Sequence, residues 1–401
     1  MAAPSPRAAL AGFRVIDLTR VLGGPSGTQI LGDHGAEVIK IEPPQGDETR
    51  DWGPPFRDGP ASYYVGVNRN KRTMALDLGR DAGQQVLMRL LEDADVLIHN
   101  LKWGTMENWG LGYEEVLEPR FPRLIYCHIS GFGRDGPLGG RPGYDAVVQA
   151  MSGLMSVNGT AETGPIRLGT PIVDLGAGLN AVIGILIAAH ERQRTGRGQS
   201  VEVTLFDSGI ALLHPQAANW FMSGETPEPI GNFHPNVSPY DQYPTATRPI
   251  FLAVGNDRQF ARLCTELGSP ELADDPRFKD NAGRVANREA LRQALARLLA
   301  NHDGEAIAER LLALGVPAGA VLTIPEVLRH PQSAERRMVV EDGEYRGTGV
   351  PIKLGRSPAP PATAPRPFGA DGRTILAEAG YGEAEIAALI EDDVLVERRR
   401  R

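Results

Sequence analysis

An α/β fold with a parallel sheet covered on both faces, joined to a smaller α+β domain, is what this sequence predicts, and three observations predict it. Short β-rich runs alternate with helix-patterned segments through the first half of the chain, the order expected of strand, crossover and parallel strand. At 401 residues the chain exceeds the roughly 250 to 300 residues at which one hydrophobic core stops growing, so two domains are expected. Prolines crowd residues 222–243 and 351–367, where periodicity lapses and the chain should cross between domains.

Taken in order, residues 14–18, 37–41, 96–99 and 124–129 read as buried strands, with a helix over 82–94. A long apolar helix over 179–194 stops at Thr195-Gly196-Arg197-Gly198, and residues 201–206 alternate as a further strand. The most apolar part, 179–189, is broken by His190-Glu191-Arg192 and reads as a buried helix; no run approaches the ~18 apolar residues of a membrane span. Beyond the first proline-rich stretch, a strand at 250–254 and helices at 284–301 and 304–314 suit the smaller domain. The second such stretch should cross exposed surface before a last helix near Glu383–Glu391.

Composition narrows the function. Hydrophobic residues make up 41% and charged residues 23%, ordinary values for a chain with a sizeable core. Lysine plus arginine number 42 against 50 acidic residues, a formal charge of -8, so there is no global basic field to hold a nucleic acid. Cys127 and Cys264 are too few for a disulfide framework or a cysteine zinc site, and a reducing, cytoplasmic setting is expected. The first ten residues lack the apolar stretch of a secretory signal. The eight histidines stand singly, so no metal is expected. The arginine tail from residue 398 onward reads as a frayed, solvated end.

Two glycine-rich segments invite a dinucleotide. Gly131-Phe132-Gly133-Arg134-Asp135-Gly136 satisfies the G-x-G-x-x-G spacing, but Pro137, Gly139, Gly140, Pro142 and Gly143 follow, and the fingerprint needs a helix there. Gly23-Gly24-Pro25-Ser26-Gly27 reads as a tight strand-to-helix turn with Pro25 at the first helical position, or equally as a nucleotide contact. A nucleotide-binding oxidoreductase therefore stays open. No serine has the glycines of a hydrolase elbow. Asp174, read from its surroundings alone, is a helix cap or loop acid.

Several segments together resemble the family III CoA-transferases, the group containing formyl-CoA and carnitine CoA-transferases and the related α-methylacyl-CoA racemases. They are residues 13–19 with Gly24-Pro25, residues 31–42, Asn68-Arg69-Asn70-Lys71-Arg72, the loop 131–137, Gly143-Tyr144-Asp145, and Thr195-Gly196-Arg197-Gly198-Gln199. In that family an aspartate just before a long apolar helix attacks the thioester, and the matching residue is Asp174 in Pro171-Ile172-Val173-Asp174-Leu175-Gly176. A carboxylate suits this work because the mixed anhydride and thioester it forms conserve the energy of the acyl-CoA. Gly176-Ala177-Gly178 would permit close backbone approach. The resemblance further implies CoA contacts at Leu22, Pro43, Leu76, Arg80, Asn100, Leu101, Lys102, Asn108, Arg141 and Tyr144. Members often carry arginine where this chain has Pro43 and Asn108, so Lys102 or Arg80 would supply charge instead.

The racemase branch places histidine before the aspartate of the segment that here reads Gly143-Tyr144-Asp145. A phenol titrating near 10 is a poor substitute for an imidazole near 6.5, so transferase is favoured over racemase, and Tyr144 becomes a pocket wall or a hydrogen-bond donor to CoA. A catalytically dead acyl-CoA binder is the remaining alternative. Trp52-Gly53-Pro54-Pro55-Phe56, Tyr63-Tyr64 and the 68–72 run look closest to members that carry CoA from succinyl-CoA to dicarboxylic acids such as glutarate. Arg167 or His234 could pair with the distal carboxylate. CoA enters as a substrate, with no tightly bound cofactor implied. The family's architecture is an interlocked homodimer, each large Rossmann-like domain built from both termini. Carried onto this chain, it implies a large domain at 1–222, a small domain with linkers at 223–332, and a linker and return at 333–401.

Overall fold

The computed structural model describes residues 8–57 and 59–400. The chain forms two compact units. The first contains the described residues up to Leu154, Leu168–Leu213 and those from Pro331 onward, and the second contains Met155–Arg167 and His214–His330. The units divide after Leu213 and His330, where the resemblance implied boundaries at 222/223 and 332/333. The segment Met155–Arg167 was not anticipated: its strands, Gly159–Thr160 and Gly164–Pro165, are two residues each and carry no apolar alternation.

The first unit is built on six parallel strands: β1 (Arg14–Asp17), β2 (Glu37–Glu42), β3 (Lys71–Ala75), β4 (Val96–His99), β5 (Ile125–Ser130) and β6 (Ser200–Thr204), in the order β3-β2-β1-β4-β5-β6. Its main helices up to Leu213 are α1 (Gly23–Asp33), α2 (Asp81–Leu90), α3 (Asp145–Met151), α4 (Ile172–Thr195) and α5 (Leu205–Ala211). Alternation along the strands sends Val15 to one core and Ile16 to the other. On the Val15 side the sheet core takes in Leu31 of α1 and Val173, Ala177, Ala181, Ile185 and Ala188 of α4. On the Ile16 side it takes in Val86, Leu87 and Leu90 of α2 and the returning C-terminal residues Ile375, Leu376 and Ile386. Both faces are thus covered, as a parallel sheet requires. The order of strands reverses between β1 and β4, and in doubly wound sheets the crevice beyond the carboxyl ends of such a pair is where ligands sit.

Three sequence expectations need correction. β3 went unrecognised because Lys71-Arg72-Thr73 looks solvent-facing, yet Lys71 is buried with its ammonium donating to Pro25, Asn68 and Asp17. Helix α4 begins at Ile172, seven residues before the expected start, so Asp174 lies inside its first turn instead of ahead of it. Nor is that helix wholly buried: Leu179, Ile183, Leu186 and Ile187 form an exposed apolar stripe. At 24 residues it is, by length and composition, apolar enough to cross a bilayer. It ends at Gly196, whose φ of 75° is the left-handed conformation glycine supplies at helix ends.

The second unit has a three-stranded antiparallel sheet, Ala318–Ala320 beside Ile250–Ala253 beside Tyr240–Tyr243. Phe260, Leu263, Leu291, Leu295, Leu299, Ile307 and Leu311 share a core with its strand residues Tyr243, Ile250 and Leu252. The helix expected at 284–301 is two, Asn281–Ala286 and Arg288–Leu299. Arg284 in the first of these is fully buried and donates to the carbonyls of Ser238 and Phe278 and to the Asp257 carboxylate.

Candidate active site

Two helix starts meet in the first unit. A Cβ on Gly178 of α4 would lie 2.4 Å from the Gly23 carbonyl oxygen, and one on Gly27 of α1 would lie 2.9 Å from that of Gly178. No larger side chain fits either position without moving a backbone. This close approach brings Gly23, at the start of α1, against Asp174: a Cβ there would stand 3.2 Å from the Asp174 carbonyl oxygen and 3.4 Å from its Oδ1.

Asp174 is the third residue of α4. Pro171 at the preceding cap position makes no side-chain hydrogen bond; the cap comes from another helix. The Asp145 carboxylate, at the start of α3, accepts from the Val173 N–H at 2.9 Å and the Asp174 N–H at 3.2 Å. Its other oxygen accepts from Gln149 Nε2 at 2.6 Å, and Gln149 Oε1 accepts from the Leu168 N–H. The capping acid is therefore held fast while its charge sits next to Asp174. Burial and, second, that neighbouring charge push the Asp174 carboxyl up to about 7. Burial and then the charges of Asp174 and Asp145 also raise the Tyr63 phenol, which packs edge-on against Trp52 with ring centres 5.2 Å apart. A carboxyl titrating near neutrality at a helix start, with part of its surface open, can serve as a base or as a nucleophile.

The second part of the site lies at the topological switch point. A cavity of about 340 Å³ is lined by Leu18 and Arg20 after β1, Pro43 after β2, Leu76 after β3, and Leu101 and Lys102 after β4. Pro43, Leu76, Leu101 and Lys102 are predicted CoA contacts, brought together here from three separate segments. Leu22 is buried at the cap of α1, and Asn100 accepts from the Arg20 N–H at 2.8 Å and donates to the Arg20 carbonyl at 2.7 Å. Both act on the turn that joins the cavity to Gly23. Arg80 immediately precedes α2 without capping it through its side chain, and its guanidinium donates to the Asp392 carbonyl. Asn108 is exposed at the end of the short helix Thr105–Asn108, and Arg141 is exposed in the loop before α3. Tyr144 precedes α3 and is 57% exposed. Those four do not line the cavity. Arg167 and His234 belong to the second unit, where His234 Nδ1 accepts from the Asn236 N–H.

The 131–136 glycines serve packing: a Cβ on Gly131 would fall 2.5 Å from the Gly143 nitrogen, so the loop sets the segment that carries Tyr144 and Asp145. A larger cavity of about 990 Å³ lies beside Phe56, Tyr345 and Phe368 and contains none of the predicted contacts. Among the described residues no group of His, Cys, Asp and Glu side chains is arranged to hold a metal ion. Sequence reasoning missed the roles of Asp145, Gly23 and Tyr63. Asp145 and Tyr63 nevertheless fell within segments singled out by resemblance, and Gly23 within the glycine-rich run 23–27 read as a turn or a nucleotide contact.

The sequence matches the family model for CoA-transferase family III over residues 10–372. It is 40% identical over 351 residues to an acetyl-CoA:oxalate CoA-transferase of Acetobacter aceti, covering 87% of this chain and 90% of that protein. It is 41% identical over 355 residues to a succinate–glutarate CoA-transferase of Agrobacterium fabrum, covering 87% and 88%. A succinyl-CoA:mesaconate CoA-transferase of Haloarcula hispanica is 37% identical over 390 residues, covering 93% and 97%. The crystal structure of a CaiB/BaiF family protein from Brucella suis superposes with a TM-score of 0.84 at 39% identity, covering 93% of this chain and 100% of that one.

Proposed function

The chain belongs to CoA-transferase family III and is a CoA-transferase; from that premise we propose that it carries CoA from an acyl-CoA, succinyl-CoA foremost, to a dicarboxylic acid through covalent intermediates on Asp174. The observation that carries this reading is the Asp174 carboxyl itself, raised to about 7 by burial and by Asp145 and joined by one short turn to a cavity at the switch point. A poorly solvated carboxylate is a stronger nucleophile than one in water. Its oxygen attacks the thioester carbon, the C–S bond breaks, and CoA leaves as thiolate. The thiolate attacks the aspartyl carbonyl of the mixed anhydride and releases the donor acid. The acceptor carboxylate then opens the aspartyl-CoA thioester to a second anhydride, and the thiolate takes its acyl group and frees Asp174. The acids in the relatives' names, oxalate, glutarate and mesaconate, are all dicarboxylic, which supports that acceptor class.

Asp174→Ala is expected to abolish transfer while leaving CoA affinity within about threefold of the parent, because the side chain acts on the bond that breaks and not on the nucleotide. Hydroxylamine added to acyl-CoA-treated enzyme should modify Asp174, read by peptide mass. Full activity in the variant, or label on another acid, would remove Asp174 from the mechanism. α-Hydrogen exchange in deuterated water without CoA transfer would point to racemase chemistry instead.

A homodimer, interlocked as in the family, and a reducing cytoplasmic setting belong to the same reading. The exposed stripe Leu179, Ile183, Leu186 and Ile187 on α4 supports the first, since exposed apolar faces of this kind mark interfaces. Both cysteines are buried, and burial pushes each thiol up to about 12, which supports the second. Ile183→Glu combined with Ile187→Glu should convert a dimer to monomer by light scattering. A parent chain already monomeric at micromolar concentration would refute the assembly.

A further inference from the structure

The turn between β1 and α1 reaches both parts of the site. Leu18 and Arg20 line the cavity, and Gly23 lies against Asp174. Between them Val21 has a φ of 70°. A β-branched residue in the left-handed region is strained, so the surrounding structure must hold it there. Three side chains from outside the turn do so. The buried Lys40 ammonium donates to the Thr19 carbonyl at 2.7 Å, and Asp47 accepts from the Val21 N–H at 3.4 Å. Asn100 takes both backbone polar groups of Arg20, the residue just before Val21.

Asn100 is itself held on its carboxyl side. The Leu101 N–H donates to His99 Nδ1 at 3.3 Å, and the Leu101 carbonyl pairs with His128 Nε2 at 2.9 Å. His99 and His128 are buried and stacked, with ring centres 4.1 Å apart. The brace therefore rests on a rigid base at the end of β4.

We propose that Asn100 is a positioning residue: its two-point contact with Arg20 keeps Val21 left-handed and so fixes the spacing between the CoA cavity and Asp174. The resemblance made Asn100 a CoA contact; in this fold its carboxamide works through the Arg20 backbone. The inference rests on the cavity being the CoA side of a transferase. It predicts something a direct contact would not, namely that relieving the strain at Val21 makes the brace dispensable.

The test is titration calorimetry with CoA alone. Asn100→Ala should weaken CoA binding about tenfold, the scale of one strained backbone released. Asn100→Asp keeps the acceptor, loses the donor and should fall between. Adding Val21→Gly or Val21→Asn, residues that adopt left-handed backbone readily, to Asn100→Ala should bring affinity back to within about threefold of the parent. Titrations run well below the melting temperature of every variant keep general stabilisation out of the result. No recovery in either double variant, or parent affinity in Asn100→Ala, overturns the proposal. The functional reading fails on a different observation, a parent chain that binds CoA yet moves it between no acyl-CoA and acid, and rescue of affinity reads out regardless.

Discussion

Two pairs of neighbouring charges in the first unit show opposite solutions to burying an acid. Asp17, at the end of β1, is fully buried, which alone would raise its carboxyl. Lys71 and Lys40, with the hydroxyls of Thr19 and Thr28, outweigh that and hold it below its ordinary value. Its oxygens accept from the Thr19 N–H and hydroxyl, from Thr28 and from Lys71 at 2.5 to 3.3 Å. Asp174 has Asp145 for a neighbour, and both influences on it push upward, to about 7. The first arrangement spends charge on fixing three strands and a turn. The second leaves an acid raised toward neutrality at a cost to the fold.

That contrast is broken most forcefully at Asp17. Asp17→Leu strands Lys71, Thr19 and Thr28 in the interior, and removing one partner of a buried ion pair costs about 3 to 5 kcal/mol. Urea unfolding should show a loss of that size, and a change below about 1 kcal/mol would mean that the network is incidental. At Asp174 the sign reverses. Because its folded carboxyl titrates near 7 against an ordinary value of 3.8, the folded state holds a proton that the unfolded state has released between roughly pH 4 and pH 7. Stability contributed there falls as pH rises through that window. Asp174→Asn should be more stable than the parent by about 2 kcal/mol at pH 8, with the difference vanishing near pH 4. Equal stability at both pH values would mean that the carboxyl is not strained.

The same contrast explains what could be read from the sequence. Short β-rich runs revealed β1, β2, β4 and β5, because their Val, Ile and Leu residues announce burial. β3 stayed hidden because its burial depends on paired charge: Lys71 is interior only with Asp17, Asn68 and the Pro25 carbonyl to receive it, partners far away in sequence. The start of α4 was placed late because Gly176 and Gly178 weaken the helical signal, although those glycines are what let α1 and α4 touch. Resemblance supplied Asp174, and it supplied Pro43, Leu76 and Lys102, which share one cavity. It could not reveal that Asp145 caps the helix of Asp174, since a contact across 29 residues leaves no local pattern. Nor could it reveal the strain at Val21, which exists only in backbone angles.

The finest division of the contrast is between the two causes acting on Asp174, and Asp145→Asn separates them. Asparagine keeps an oxygen for the Val173 and Asp174 amides but presents an amide hydrogen toward Gln149, whose own nitrogen already faces it at 2.6 Å, so a loss of about 1 kcal/mol is expected. Removing the charge leaves burial as the sole upward influence. Burial is the larger of the two, so the Asp174 carboxyl should fall by about one pH unit and not return to the ordinary range. On the proposed mechanism, in which the Asp174 anion attacks, kcat/KM of the parent for the acyl-CoA should rise with pH through about 7, since this ratio reports ionisation of the free enzyme. In Asp145→Asn the same limb should lie about one unit lower, giving the variant relatively more of its activity at pH 6 and no advantage at pH 8. The substrate's own phosphates titrate identically in both measurements, so the difference between the two profiles belongs to the enzyme. Superimposable limbs would assign the whole shift to burial and leave Asp145 a helix cap without electrostatic consequence.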